Sequence, residues 1–203
     1  MKQLFSTILL LLVASVGTLS ADNPVRKSAI GVSGGYDVSY GTFIGEAYYQ
    51  RDIRLFRKEA AYRIGVTTHA YQLDVNNVTD LDANSVGLFG DLILYPFNNG
   101  LSVGIRWEGV NINWLSSASK QKLLSQTSRS IGVFSGTSLF LQAGYDLKLS
   151  DRFEINIYGQ PGFQEYSVSN GNTIGNYSDS SDGLIESKVR FVFNLNIGLV
   201  FRL

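Results

Sequence analysis

Cysteine is absent from this 203-residue chain. That excludes disulfides, thiolate metal sites, a cysteine nucleophile and a lipidated N-terminal cysteine. Charge of one sign is not in excess either: 17 Lys and Arg face 17 Asp and Glu, with a pI near 6.6. There is therefore no electrostatic case for nucleic acid as a partner. Beyond the N-terminal segment no run has the length and apolarity of a membrane-spanning helix, so a membrane form of this chain would have to be a barrel. A phosphate-binding glycine loop and a metal-ligand cluster are also missing from the sequence, and no cofactor or metal is expected. Proline is scarce, with 3 residues, while glycine reaches 21 and aromatics 12 %. This mixture favours many strands over packed helices.

What is present begins with "MKQLFSTILLLLVASVGTLSADNP". It combines a lysine at position 2, an apolar run from Ile8 to Val16, and the small residues Thr18 and Ser20. This is the pattern of a signal peptide cleaved after Ser20, so residues 1–20 are expected to be removed and 21–203 to form a single domain.

The mature sequence divides into about eight runs that alternate with period two. In the first, Ile30, Val32, Tyr36 and Val38 share one face, opposite Gly31, Ser33, Gly35 and Asp37. The third sets Ile64 and Val66 opposite Arg63, Thr67 and His69, and "LSVGIRWEG" sets Val103, Ile105 and Trp107 opposite Arg106 and Glu108. The last places Phe191, Phe193, Leu195, Ile197, Leu199, Phe201 and Leu203 opposite Arg190, Asn194, Asn196 and Arg202. Pro161, in the seventh run, predicts a bulge or strand end because it cannot donate to a ladder.

Connections alternate as well. Tight polar turns are expected at "FRKEA", "PFNNG" and "LSDR", and longer ones at "DVNNVTDLDAN", "NINWLSSASKQKLLSQTSRS" and "SVSNGNTIGNYSDSSDGLIES". Only the connection near "VSYGT" breaks the pattern by being short. Short periplasmic turns and long external loops are the arrangement of an all-β, about eight-stranded antiparallel up-and-down transmembrane β-barrel. An even strand number puts both ends of the barrel on the periplasmic side.

The apolar face carries no Asp, Glu, Lys or Arg in the strand interiors. A basic residue facing lipid at the bilayer midplane costs roughly 2–4 kcal/mol, so lipid requires such a face. The opposite face mixes Gly, Ser, Thr, Asn and Gln with charges of both signs, whereas the exterior of a soluble barrel is normally more densely charged. Glu46, Arg63, Asp91, Arg106, Glu108 and Arg190 are the candidate lumenal charge network. They either pair and plug a narrow lumen or line a narrow porin-like channel; an eight-stranded interior is normally filled by side chains, which favours the plug. Tyr36, Tyr40, Tyr49, Tyr71, Tyr95, Trp114 and Phe201 fall near run ends, as in interfacial girdles.

The sequence resembles the small bacterial outer-membrane β-barrels of the OmpA-transmembrane-domain or OmpX type over nearly all of its mature length. Asn196-x-Gly198-x-x-Phe201-x-Leu203 is similar to that family's C-terminal assembly signal, with Leu203 where an aromatic residue is commoner. The resemblance implies recognition by the barrel assembly machinery, residence in outer-membrane lipid, and a structural or surface-interaction role without catalysis.

Two other function classes remain open at this point. A soluble lipocalin-like ligand-binding barrel would put the apolar face inward and would carry a Gly-x-Trp signature near its first strand, yet no Trp precedes Trp107. A lipid A-modifying acyl-transfer enzyme would need His69, the only histidine, beside a hydroxyl nucleophile. In one such family a serine lies two places after the histidine; here that place is Tyr71. Asp91 and Glu108 as paired acids for glycoside hydrolysis, and Asp74–Asp82 and Asp179–Gly183 as calcium loops, match no specific motif. The sequons at Asn77 and Asn176 mark exposed loops, and "SASKQKLLSQTSR" is expected to form one or two helical turns.

Overall fold

The computed structural model describes residues 28–56, 58–75, 78–97, 99–127, 135–169 and 184–203. The expected signal peptide, the sequons at Asn77 and Asn176, and the acidic stretch Asp179–Gly183 lie outside them. Eight strands follow in chain order: β1 (Ser28–Asp37), β2 (Thr42–Leu55), β3 (Lys58–Val75), β4 (Val78–Tyr95), β5 (Leu101–Leu115), β6 (Ser135–Lys148), β7 (Phe153–Ser169) and β8 (Leu184–Arg202). One helix, α1 (Ser117–Thr127), lies between β5 and β6.

Each strand pairs antiparallel with its sequence neighbours, and β8 pairs with β1 from Ala29↔Arg202 to Asp37↔Asn194, closing the barrel. Closure removes the free edge that an open sheet would expose to lipid. The alternation read from sequence sets the two faces. Val32, Leu141, Ile157 and Ile197 point outward and are exposed, whereas Glu46, Arg63, Asp91, Arg106 and Asn196 point inward and are buried. The largest fully buried side chains are headed by two arginines, with Phe89, Phe140 and Ile93 also buried, while Ile30, Val32, Leu141 and Ile197 stand outside. This arrangement excludes the lipocalin-like alternative, which would bury the apolar face.

Four local expectations are corrected. "DVNNVTDLDAN" is a hairpin instead of a long loop, since β3 runs to Val75 and β4 starts at Val78. Its polar residues obscured the strand because this stretch rises above the apolar belt, where the backbone ladder alone carries pairing and no apolar face is needed. A bulge there, with Asp80 at φ 56°, accommodates an extra residue on β4; Asp tolerates that left-handed conformation better than most side chains.

Likewise, "NINWL" continues β5 up to Leu115. A second bulge lies opposite the Val86–Leu88 segment, where Leu88 pairs with Gly109 but Val86 with Ile112. The bulge flips the parity, so Trp114 points outward like Trp107 although their spacing is odd. Third, Pro161 neither ends β7 nor makes a bulge. The β6 rungs pass from Phe140↔Gly162 to Ala143↔Gly159 with unchanged register, and Pro161 still pairs with Phe193 of β8. The missing donor costs rungs on one side only, and the other ladder holds the strand straight.

Fourth, α1 is longer than the expected one or two turns. Ser116 Oγ accepts from Ser119 N at 3.2 Å as an N-cap, and Leu123 is buried where the helix packs against β4. No helix among the described residues is long and apolar enough to cross a membrane.

Candidate functional site

The barrel interior is the candidate site, and Arg106 is its centre. β5 places this residue on the inward parity, directly beside Asp91 of β4 and Phe140 of β6. Its Nε donates to Asp91 Oδ1 at 2.6 Å and its Nη2 to Asp91 Oδ2 at 3.0 Å, a bidentate clasp. Across the lumen, Nη2 also donates to Glu46 Oε2 at 3.2 Å and Nη1 to Glu46 Oε1. Nη1 further reaches Glu108 Oε1 and Gln160 Oε1, each at 3.4 Å. The guanidinium plane lies 4.0 Å above the Phe89 ring centroid, so its flat face is used as well as its rim.

The carboxylates are themselves held by other strands. Glu46 Oε2 accepts from Ser33 Oγ and from Tyr158 Oη, each at 2.7 Å. Gln160 passes the network to Gln142 at 3.0 Å, and Asn196 Nδ2 donates to Gln160 Oε1 at 3.0 Å. With His69 of β3 beside Glu108, one connected cluster therefore links all eight strands. Arg106 and its three carboxylates are no more than 2 % accessible at their side chains. A buried charge without partners would be prohibitive, and here every carboxylate has at least one cationic or hydroxyl donor.

Arg63 stands apart from that cluster. Its Nε donates to Gln50 Oε1 at 2.7 Å, and its guanidinium lies 4.8 Å from the Tyr48 ring and 5.7 Å from the Tyr158 ring. Below it, towards the chain termini, Arg202 bonds both Asp52 and Glu154, the latter at 2.8 Å. A third network runs Tyr48 Oη to Asn156 at 2.9 Å, Asn156 to Asp146 at 2.7 Å, and Tyr95 Oη to Asp146 at 2.6 Å. Arg190 is at the opposite end of the barrel, where it donates to Gln164 Oε1 at 2.7 and 3.0 Å and covers Tyr40 at 4.0 Å.

Of the six lumenal charges expected from sequence, the structure gathers Glu46, Asp91, Arg106 and Glu108 and separates Arg63 and Arg190. Sequence reasoning passed over Ser33, Tyr158, Gln160 and the Tyr48–Asn156–Asp146–Tyr95 relay. Tyrosines 48 and 158 on the otherwise polar parity were the available signal, since a phenol placed inside a barrel needs a hydrogen-bond partner.

His69 also points inward. Its Nε2 lies 3.2 Å from Glu108 Oε2 and 3.1 Å from Thr67 Oγ1. It therefore faces the lumen, away from the outer surface where an acyl chain would lie. Asp91 and Glu108 are both buried and both contact Arg106, so neither carboxylate is presented to a sugar. Among the described residues no group of three or more His, Cys, Asp or Glu side chains could hold a metal ion. Of the terminal motif, Asn196 and Gly198 face inward, while Phe201 and Leu203 lie on the outer face. Phe201 packs at 5.2 Å against Phe153 of β7.

No family model matches the sequence, and no curated protein matches it. Solved structures do match the fold. A major outer membrane protein from Thermus thermophilus superposes with a TM-score of 0.50 at 14 % identity, covering 89 % of this chain and 100 % of that one. The fold is that of a small outer-membrane β-barrel. The outer membrane protein OprG from Pseudomonas aeruginosa gives a TM-score of 0.43 at 12 % identity, covering 88 % of this chain and 95 % of that one. Neisserial surface protein A gives 0.37 at 11 %, covering 87 % and 94 %. The Thermus match establishes architecture and says nothing of activity; the inside-out distribution of charge reported above is what suits this barrel to a bilayer.

Proposed function

We propose that this chain is an integral β-barrel of the bacterial outer membrane, with a closed lumen and a structural or surface-interaction role that involves no catalysis. The carrying observation is Arg106, fully buried and bound from opposite walls by Glu46, Asp91 and Glu108, with Phe89 beneath it. A water-filled pore would leave these groups solvated, and a lumen-wide clasp of complementary charges removes the space through which ions would pass. The porin-like alternative loses support for the same reason. An acyl-transfer role loses support because His69 is lumenal and shares its Nε2 with Glu108 and Thr67.

On this reading, outer-membrane lipid covers the exposed apolar belt, the longer hairpins project outward, and Asn196, Gly198, Phe201 and Leu203 serve as the signal read by the barrel assembly machinery. Heat-modifiable gel mobility and co-fractionation with the outer membrane are the expected results, and recovery as a soluble periplasmic monomer would refute the proposal. Planar bilayers should show no conductance steps from the refolded protein. Steps that disappear on Arg106→Met substitution would establish the channel instead.

A further inference from the structure

Closure of the barrel rests on one pair of strands that are far apart in the chain. Between β1 and β8, Leu203 N donates to Ser28 O at one end and Val38 N to Phe193 O at the other, each at 2.8 Å. These hydrogen-bonded rungs carry the outward side chains. The inward pairs between them are therefore the non-hydrogen-bonded ones, where facing Cα atoms approach to about 4.5 Å and side chains lie closest. From the outer end they are Asp37↔Asn194, Gly35↔Asn196, Ser33↔Gly198, Gly31↔Val200 and Ala29↔Arg202.

Size alternates across these pairs. Asn196 lies over Gly35: a Cβ on Gly35 would fall on Asn196 Oδ1 and come within 2.7 Å of its Cγ and 2.9 Å of Leu195 O. At the next inward pair the relation reverses, and a Cβ on Gly198 would meet Ser33 Cβ at 3.0 Å and Val32 O at 3.1 Å. The Asn196 amide is not free to swing aside, because the residue is 4 % exposed and its Nδ2 donates to Gln160 Oε1 at 3.0 Å. Its Oδ1 is buried with no hydrogen-bond partner. A buried unsatisfied acceptor costs stability. In coiled coils a lone buried Asn carries such a cost because it fixes register.

Parity alone does not fix the register of this seam. A slip of one residue would turn Leu199 and Phe201 into the lumen and is excluded, whereas a slip of two keeps every side chain on its own face. Size separates the two-residue slips from the observed register. In one slip Gly35 would face Gly198 and Asn196 would face Asp37; in the other, Gly31 would face Gly198 and Asn196 would face Ser33. Each sets two glycines together, leaving a gap, and each brings the Asn196 amide against a Cβ that the observed register does not have. The consequence reaches the lumen, because the stagger fixed at closure sets barrel width for a given strand number. The clasp of Arg106 on β5 with Glu46 on β2 spans that width.

We infer that Gly35 and Asn196 are the register lock of the closing seam. The Asn196 carboxamide fits only over a residue that lacks a Cβ, and this selects the closure in which the lumenal charges meet. Two residues of the terminal motif thereby act inside the finished barrel: Asn196 is the knob, and Gly198 makes room for Ser33. The lock needs the barrel alone and holds whether or not the assembly machinery also reads the motif.

The test follows the seam by cross-linking in the mature chain refolded in detergent micelles, with no assembly machinery present, so recognition plays no part. Because the chain has no cysteine, Val32→Cys can be combined in turn with Ile197→Cys, Leu199→Cys or Phe201→Cys and each pair oxidised. Leu199 faces Val32 in the observed register, and the other two partners report the two slips. The Leu199 pair should dominate in the otherwise unsubstituted chain. Gly35→Ala should raise the ratio of Phe201 to Leu199 cross-linking by about fivefold or more, the effect of one extra methyl in a packed site, since in that slip the methyl faces Gly198. Adding Asn196→Gly should bring the ratio back, and should restore heat-modifiable mobility if Gly35→Ala alone has lost it. An unchanged ratio in folded Gly35→Ala protein would overturn the inference. So would a failure of Asn196→Gly to reverse the effect of Gly35→Ala. Loss of heat-modifiable mobility in the unsubstituted protein would instead refute the outer-membrane reading itself.

Discussion

Replacing Arg106 with methionine removes the one cation that Glu46, Asp91 and Glu108 all contact. Methionine retains much of the stem volume and leaves Phe89 with a partner, so the cavity contribution is small. What remains is a set of carboxylates stranded in a dry lumen. Tyr158 and Ser33 still serve Glu46, whereas Asp91 loses both of its bonds to Arg106. Breaking a buried ion pair from one side costs about 3–5 kcal/mol. With a urea slope of about 2 kcal/mol/M, the unfolding midpoint in vesicles should fall by roughly 2 M. Trp107 and Trp114 fluorescence reports the transition, with the gel-mobility shift as an independent probe. The triple variant Arg106→Met, Glu46→Gln, Asp91→Asn should regain at least half of the loss, because neutral amides no longer need the cation. A loss below about 1 kcal/mol for the single variant, or no recovery in the triple, would refute the claim that charge pairing holds the lumen closed.

Other consequences are checked by similar means. Ile197→Arg puts a cation in the middle of the outward belt and should cost about 2–4 kcal/mol in vesicles, while Leu203→Arg, at the rim, should cost less than about 1 kcal/mol. Gly65→Ala should destabilise by about 1–3 kcal/mol, because a Cβ there would meet the Ala47 carbonyl oxygen, Tyr48 Cβ at 2.7 Å and Phe89 Cε1 at 2.9 Å. An equal urea midpoint would show that the wall yields at this point. Ser116→Ala removes the cap of α1 and should weaken that helix by about 1 kcal/mol, seen as faster local amide exchange with an unchanged global midpoint. His69→Ala in the producing strain should leave the lipid A profile unaltered; an altered profile would reinstate acyl transfer.

Most of the architecture was legible because two constraints act on every residue of a spanning strand. Lipid forbids charge at one parity, and the narrow interior needs small or paired polar groups at the other. Ile30, Val32, Arg63 and Arg106 could be assigned inward or outward from that rule alone. It failed where lipid no longer imposes it. The β3–β4 hairpin around Asp74–Asp82 was read as a loop because above the belt neither face must be apolar. The parity of Trp114 was hidden by a bulge that leaves no mark in composition. Pro161 was overread, since its cost depends on which neighbour needed its N–H.

The sequence alone determined the strand number, the parity of almost every spanning residue, and which charged side chains share the lumen. These are properties of the local period and of one-dimensional charge patterning. Tertiary structure decided which of those side chains meet. Arg106 clasps Asp91 on the neighbouring strand but Glu46 across the barrel, while Arg63 is left to Gln50 and two tyrosine rings. Such partners are separated by tens of residues, and their approach depends on register, strand tilt and rotamer.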